Sequence, residues 1–211
     1  MANLTLNLSK PGDRAQKLAL NLNKAERFKV RLAWEGQTDL DLHAIVCANR
    51  GDGAKASSLE DILSVYNVRR RVGGGEAGVL DKRADGTFAI HGGALVHSPD
   101  ATDGDQLDID EWIDVDPVRL APAPGAVIEI PLVAMIHQKT VARRFRDVAN
   151  AWVSIQNASG QELMNVRLSA QFGEFVGVQM GSVMIDEQGT HFAPVGVGFN
   201  GDFNSVLEHF S

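Results

Sequence analysis

Phe28-Lys-Val-Arg-Leu-Ala-Trp-Glu-Gly-Gln-Thr-Asp-Leu-Asp-Leu-His-Ala-Ile-Val46 is two alternating runs divided at Gly36. Phe28, Val30, Leu32 and Trp34 fall on one side of the first run, with Lys29, Arg31 and Glu35 on the other. In the second, Leu40, Leu42, Ala44 and Val46 oppose Asp39, Asp41 and His43. Side chains alternate across an extended chain, so a period of two predicts strands with one apolar face. The same period recurs on both sides of this stretch. Leu4, Leu6 and Leu8 alternate ahead of a Pro11-Gly12-Asp13 turn, and Leu18, Leu20 and Leu22 repeat the pattern. Further strands are predicted at 109–115, 127–136, 151–156, 163–171, 175–185 and 191–199. Many short alternating strands joined by glycine-rich turns predict an all-β sandwich of antiparallel sheets.

Helical signals are few. Val141, Phe145, Val148 and Ala149 share a helical face, which predicts a short helix over 140–150. A second is predicted at the C-terminus, where Asp202 or Asn204 could cap a segment carrying Val206, Leu207 and Phe210. Residues 57–63 could form one turn. Residues 69–90 read as a loop or hairpin insertion into a single domain spanning 1–211. Gly73, Gly75 and Gly78 formally spell G-x-G-x-x-G, but three arginines precede them where a nucleotide-binding fingerprint needs a buried strand.

The chain is 44% hydrophobic and 22% charged, which suits a soluble globular protein. It has no apolar run long enough for a membrane span and no signal-peptide layout, and its single cysteine, Cys47, allows no internal disulfide. A cytoplasmic location is the expectation. Of its charged residues, 27 are acidic and 20 basic, a balance of −7. His97 to Asp116 alone holds Asp100, Asp103, Asp105, Asp108, Asp110, Glu111, Asp114 and Asp116, with no lysine or arginine. The remaining 19 acids nearly balance the 20 bases, so the acidity is local.

Crowded carboxylates repel unless a cation sits among them. A hard divalent ion, calcium above all, takes six to eight oxygen ligands of this kind. The plain alternative is a solvated acidic loop. Asp39 and Asp41 lie on one strand face, roughly 7 Å apart along it, close enough to converge on one ion or two neighbouring ones. Asp100 to Glu111 spans the length of an EF-hand loop, but glycine falls at the fifth position, not the sixth, and the flanks are not helical.

The six histidines form no pair at helical spacing. His43 and His97 are expected to be the only ones near the aspartates, as surface or supporting groups. No serine has the setting of a nucleophile elbow. Cys47 is expected to be a packed thiol. Arg69 to Arg71, and Lys139 with Arg143, Arg144 and Arg146, are basic patches without the interleaved aromatics of a nucleic-acid surface. Neither an enzyme nor a nucleic-acid binder is expected.

An ordered set of segments resembles the TerD family of tellurium-resistance and stress-response proteins. It comprises Leu6-Asn-Leu-Ser-Lys10, Val30-Arg-Leu-Ala-Trp34, Thr38-Asp-Leu-Asp-Leu42, Ser64-Val-Tyr-Asn67 and Gly92-Gly-Ala-Leu-Val-His-Ser-Pro-Asp100. Leu107-Asp-Ile-Asp-Glu-Trp-Ile-Asp-Val-Asp116, Arg144-Phe-Arg-Asp-Val-Ala-Asn-Ala-Trp152 and Val195-Gly-Val-Gly-Phe199 complete it. The resemblance implies a calcium-binding β-sandwich of two sheets, with protein partners in a stress response. It also implies calcium ligands at Asp39, Asp41, Asn67, Asp100, Asp108, Asp110 and Glu111. Three positions depart from the family pattern: His43 replaces an aspartate, Val68 replaces an asparagine, and Ile109 splits an Asp-Asp pair. Whether two calcium sites persist, or one is rebuilt with Asp103 or Asp105, is left open. The rival expectations are a scaffold that kept the fold without the metal and a metal-dependent hydrolase.

Overall fold

A computed structural model describes residues 20–22, 27–51, 53–105, 109–120, 122–137 and 143–211. Its strands pair into two main antiparallel sheets. The first runs, edge to edge, Leu20–Leu22, Thr190–Phe199, Gly177–Ile185, Val127–Ile136, Leu40–Ile45 and Ile62–Leu63. Cys47–Asn49 continues alongside Val127–Ile136 and carries Ala54–Lys55 on its outer edge. The second sheet runs Glu162–Arg167, Ala149–Asn157, Phe28–Glu35, Glu111–Val115, Leu95–His97 and Phe88–Ile90.

The alternation seen in the sequence is what joins the two sheets. Val30 and Leu32 of the second sheet pack in one cluster with Leu40, Leu42, Ile130 and Leu132 of the first. Val153, Ile155, Ile113 and Phe192 lie in the same cluster, all at most 1% exposed. This is the sandwich core, and its non-directional burial is the main force holding the layers. The predicted strands at 109–115, 127–136, 151–156, 175–185 and 191–199 are all present, shifted by at most two residues at an end. The predicted 4–8 strand lies outside the described residues.

Two expectations change. The 163–171 strand stops at Arg167 and turns into a short helix, Leu168–Gln171. No helix forms over 143–150. Phe145–Asp147 is a single 3-10 turn and Ala149 already begins a strand. The backbone N–H groups of Phe145 and Arg146 donate to the carbonyls of Phe175 and Gly173, so tertiary partners take the bonds a helix would use.

The first sheet is covered on its outer side as well. The C-terminal helix, Phe203–His209, is capped by Asp202, whose side chain accepts from Ser205 N–H at 3.0 Å. Its Phe203, Val206 and Phe210 pack on Ile45, Cys47, Ile62, Val133 and Met135. Cys47 is a buried free thiol, as expected, and burial pushes its pKa up to about 12. Residues Arg70–Val72 and Gly75–Ala77 form a separate two-stranded hairpin within the 69–90 stretch.

Candidate metal centre

Asp41 sits mid-strand on the face of Leu40–Ile45 that the alternation assigns to solvent. It is instead fully buried, as is His43, because Tyr66 and the C-terminal helix close over that face. The His43 ring stacks at an angle on Phe203, with centroids 4.4 Å apart, and lies 5.5 Å from Tyr66. Burial drops its pKa to about 3 against the opposing pull of Asp41, so the ring is neutral. His43 is therefore part of an aromatic cluster rather than a surface group.

The strand ladder also delivers a residue that sequence reasoning passed over. Leu40–Ile45 pairs with Val127–Ile136 in the register Met135 to Asp41 and Ile136 to Leu40. One step further, His137 N–H donates to the Asp39 carbonyl at 2.8 Å. His137 Nδ1 comes 2.9 Å from Asp41 Oδ2 and 3.5 Å from Asp39 Oδ2. Tyr66 hydroxyl donates to the same Asp41 oxygen at 2.8 Å. The expectation that only His43 and His97 approach the aspartates is corrected, since His137 touches both.

The second wall comes from the other sheet. Glu111 pairs opposite Leu32 and points into the sandwich, fully buried. The outer edge of Leu40–Ile45 is paired with Ile62–Leu63 only at Ala44 and Ile45. At Leu42 the edge groups need other partners. Leu42 N–H donates to Glu111 Oε2 at 2.8 Å, and His97 Nε2 donates to the Leu42 carbonyl at 2.9 Å. His97 Nδ1 faces the Ser98 carbonyl at 2.8 Å, so the ring stands between two acceptors. Burial lowers its pKa while the two carbonyls pull the other way.

Around Asp41 the carboxylates gather. Oxygens of Asp41, Asp100 and Glu111 all lie within 4.8 Å of one another, and a second group of the same tightness joins Asp39, Asp41 and His137. Asp41 belongs to both. Among the described residues, Glu111 Oε1 accepts only a long bond, 3.4 Å, from Ala101 N–H. Burial first, and the neighbouring Asp41 second, push the Glu111 pKa well above its ordinary value. Asp41 Oδ1 is buried with no hydrogen-bond donor among the described residues.

Two other predicted ligands are occupied with holding the site in place. Asp110, one residue before Glu111, turns away from the cluster to the other side of its strand. It accepts from Trp34 N–H at 2.9 Å and from Asp105 N–H at 2.8 Å, clamping the acidic loop to Phe28–Glu35. Gly104 and Gly36 bridge the same contact, and a Cβ on Gly104 would overlap the Trp34 carbonyl oxygen. The Asn67 amide donates to the carbonyls of Leu59 and Ile62 at 2.7 and 2.9 Å. The Asn67 backbone carbonyl accepts from Val79 and Leu80 N–H, where the 70–77 hairpin rejoins the body. Asp108 lies outside the described residues, and Asp103 and Asp105 are not in either carboxylate group.

The model of the TerD domain matches residues 87–210, more than half of the chain. The chain belongs to the TerD family. Among solved structures, it is similar to a homologue of telluride resistance protein (TerD) from Streptomyces coelicolor A3(2), at a TM-score of 0.64 and 17% identity. That match covers 87% of this chain and 95% of the other. The protein of unknown function SAV2460 is similar to the same degree, with a TM-score of 0.64, 16% identity, and 88% and 96% of the two chains covered. At such identities the likeness shows the TerD fold and nothing finer. No curated protein matches the sequence. The residues of this TerD chain do fit a hard cation: three carboxylates converge, one of them with a buried oxygen that no donor among the described residues satisfies.

Proposed function

We propose that this TerD-family chain is a non-enzymatic calcium-binding protein of a cytoplasmic stress response, acting through protein partners. The observation that carries the reading is the bare Oδ1 of fully buried Asp41, with Asp100 and Glu111 oxygens within 4.8 Å. A buried carboxylate oxygen without a donor is costly, and an ion bound there would remove that cost. Asp41, Asp100 and Glu111 would hold the cation, while Asp39 and His137 flank it. Asp110 and Asn67 support it by fixing the loops on either side.

Catalysis is disfavoured by how the polar groups are used. Ser98 Oγ, His97 and Glu111 stand in a row that resembles a triad, with His97 Nδ1 3.4 Å from the hydroxyl and Nε2 3.7 Å from Glu111. Yet all three are at most 2% exposed, and each is bonded to backbone. A substrate could not reach them.

A metal-free scaffold is the second reading. It is favoured by Tyr66, His137 and the Leu42 N–H, which satisfy several carboxylate oxygens without any ion. Thermal melts with calcium and with chelator separate the two. Calcium at a hundredfold over its Kd adds about 2.7 kcal/mol to stability. For a domain of this size that is a rise of about 5–10 °C in Tm. Asp41→Asn should abolish the rise. A melting curve that calcium leaves unmoved selects the scaffold.

A further inference from the structure

Glu111–Val115 leads from the carboxylate cluster to a cavity of about 680 Å³ at the far end of the same sheet. Val115 is four steps along the strand from Glu111, about 13 Å of extended chain. The cavity's apolar surface comes from Val96, Ile109 and Ala158, which lie over the buried Phe28, Ala94 and Val115. Its rim is strongly basic for a chain of net charge −7: Arg27, Lys29, Arg83 and Arg119 face only two acids, Asp114 and Asp116.

The ion pairs leave positive charge over. Arg27 and Arg119 both bind the same oxygen of Asp116, at 2.8 and 3.2 Å. Two guanidiniums on one carboxylate leave one charge uncompensated. Lys29 is balanced by Asp114 at 3.3 Å. Arg83 makes no ion pair within 4.0 Å among the described residues, although its charge reaches Asp85, so the rim keeps a net positive charge. Two of these groups meet beside Gly93. Its φ is +86°, and a Cβ there would lie 3.6 Å from Arg83 Nη2 and 3.7 Å from Arg119 Nη1. Arg119 Nη1 is further fixed by donating to the Gly92 carbonyl at 2.8 Å.

We propose that this cavity binds a small phosphate monoester, the phosphate seated between Arg83 and the Arg27–Arg119 pair and the organic body on the apolar surface. A phosphate monoester carries about two negative charges at neutral pH, and a positive rim attracts it. Guanidinium forks suit its oxygens. The volume falls in the range of small-molecule sites. This site is separate from the carboxylate cluster and does not depend on the calcium reading.

Calorimetric titration of the full chain tests it, with inorganic phosphate, ribose 5-phosphate and ribose as probes at about 0.1 M salt. Phosphate and ribose 5-phosphate should bind, the ester more tightly, and ribose should not. Arg83→Gln and Arg27→Gln should each weaken both by about tenfold or more at unchanged Tm, while Arg71→Gln, in the remote hairpin, should have no effect. No binding by about 10 mM phosphate overturns the proposal. So does equal weakening by Arg71→Gln, which would mean diffuse charge attraction. Binding of phosphate without the ester would overturn the assignment of a monoester.

Discussion

Glu111→Gln removes one charge from the carboxylate cluster while keeping its shape. The glutamine oxygen can still accept from Leu42 N–H, which Glu111 Oε2 now does at 2.8 Å. The new amide loses only the 3.4 Å contact with Ala101 N–H, at a cost of about 1 kcal/mol or less. Against this stands relief of repulsion. Two charges within 4.8 Å interact by about 3 kcal/mol at an effective dielectric near 20. Set against the lost contact, this leaves a net gain without metal of about 2 kcal/mol at pH 8, or about 4–8 °C in Tm. The raised pKa of Glu111 sets the pH course. Stability from the retained proton is complete below the ordinary value of 4.5 and is lost as pH rises through the folded value. Chelated wild type should therefore lose stability from about pH 5 upward, and Glu111→Gln should flatten that slope. Calcium should stabilise the wild type and not the variant. Circular-dichroism melts at pH 5 and pH 8, with calcium and with chelator, measure all of this. A variant that melts several degrees below wild type at pH 8, with its calcium response intact, refutes the account of Glu111.

Asn67→Ala strips the Leu59 and Ile62 carbonyls of their donor and should cost about 2–3 kcal/mol in urea unfolding, by the same amount with and without calcium. A loss confined to calcium-loaded protein would make Asn67 a ligand instead. His43, held neutral down to about pH 3, contributes stability present above its ordinary value of 6.5 and lost as pH falls toward that folded value. His43→Phe, facing Phe203 and Tyr66, should resist acid unfolding better than wild type between pH 6 and pH 4, and identical acid midpoints would sink the idea.

The strand content was legible because most strands bury a single face. Phe28–Glu35 shows it most plainly, with apolar residues inward at every second position. Leu40–Ile45 misleads for the opposite reason. Both of its faces are covered, so Asp41 and His43 are placed outside by pattern and inside by the helix that closes over them. His137 was beyond local reading. It reaches Asp41 from 96 residues away, through a strand pairing that no spacing announces. The 140–150 segment has helical spacing, but its N–H groups find Phe175 and Gly173, and the tertiary bonds win. One feature of the site was present in the pattern and went unread. A period of two sends neighbours Asp110 and Glu111 toward opposite faces, in keeping with Asp110 accepting from Trp34 N–H and Glu111 from Leu42 N–H.

Next to Glu111 in its strand, on the opposite face, Trp112 lies beneath the Lys29 ammonium, 4.2 Å from the ring centroid. The indole thus has the carboxylate cluster on one flank and the basic cavity on the other. Indole emission follows the charge nearby, and whatever draws Lys29 away from the ring changes that charge. The chain carries its own optical gauge, and loading at either end of this strand can be followed by fluorescence without attaching a dye.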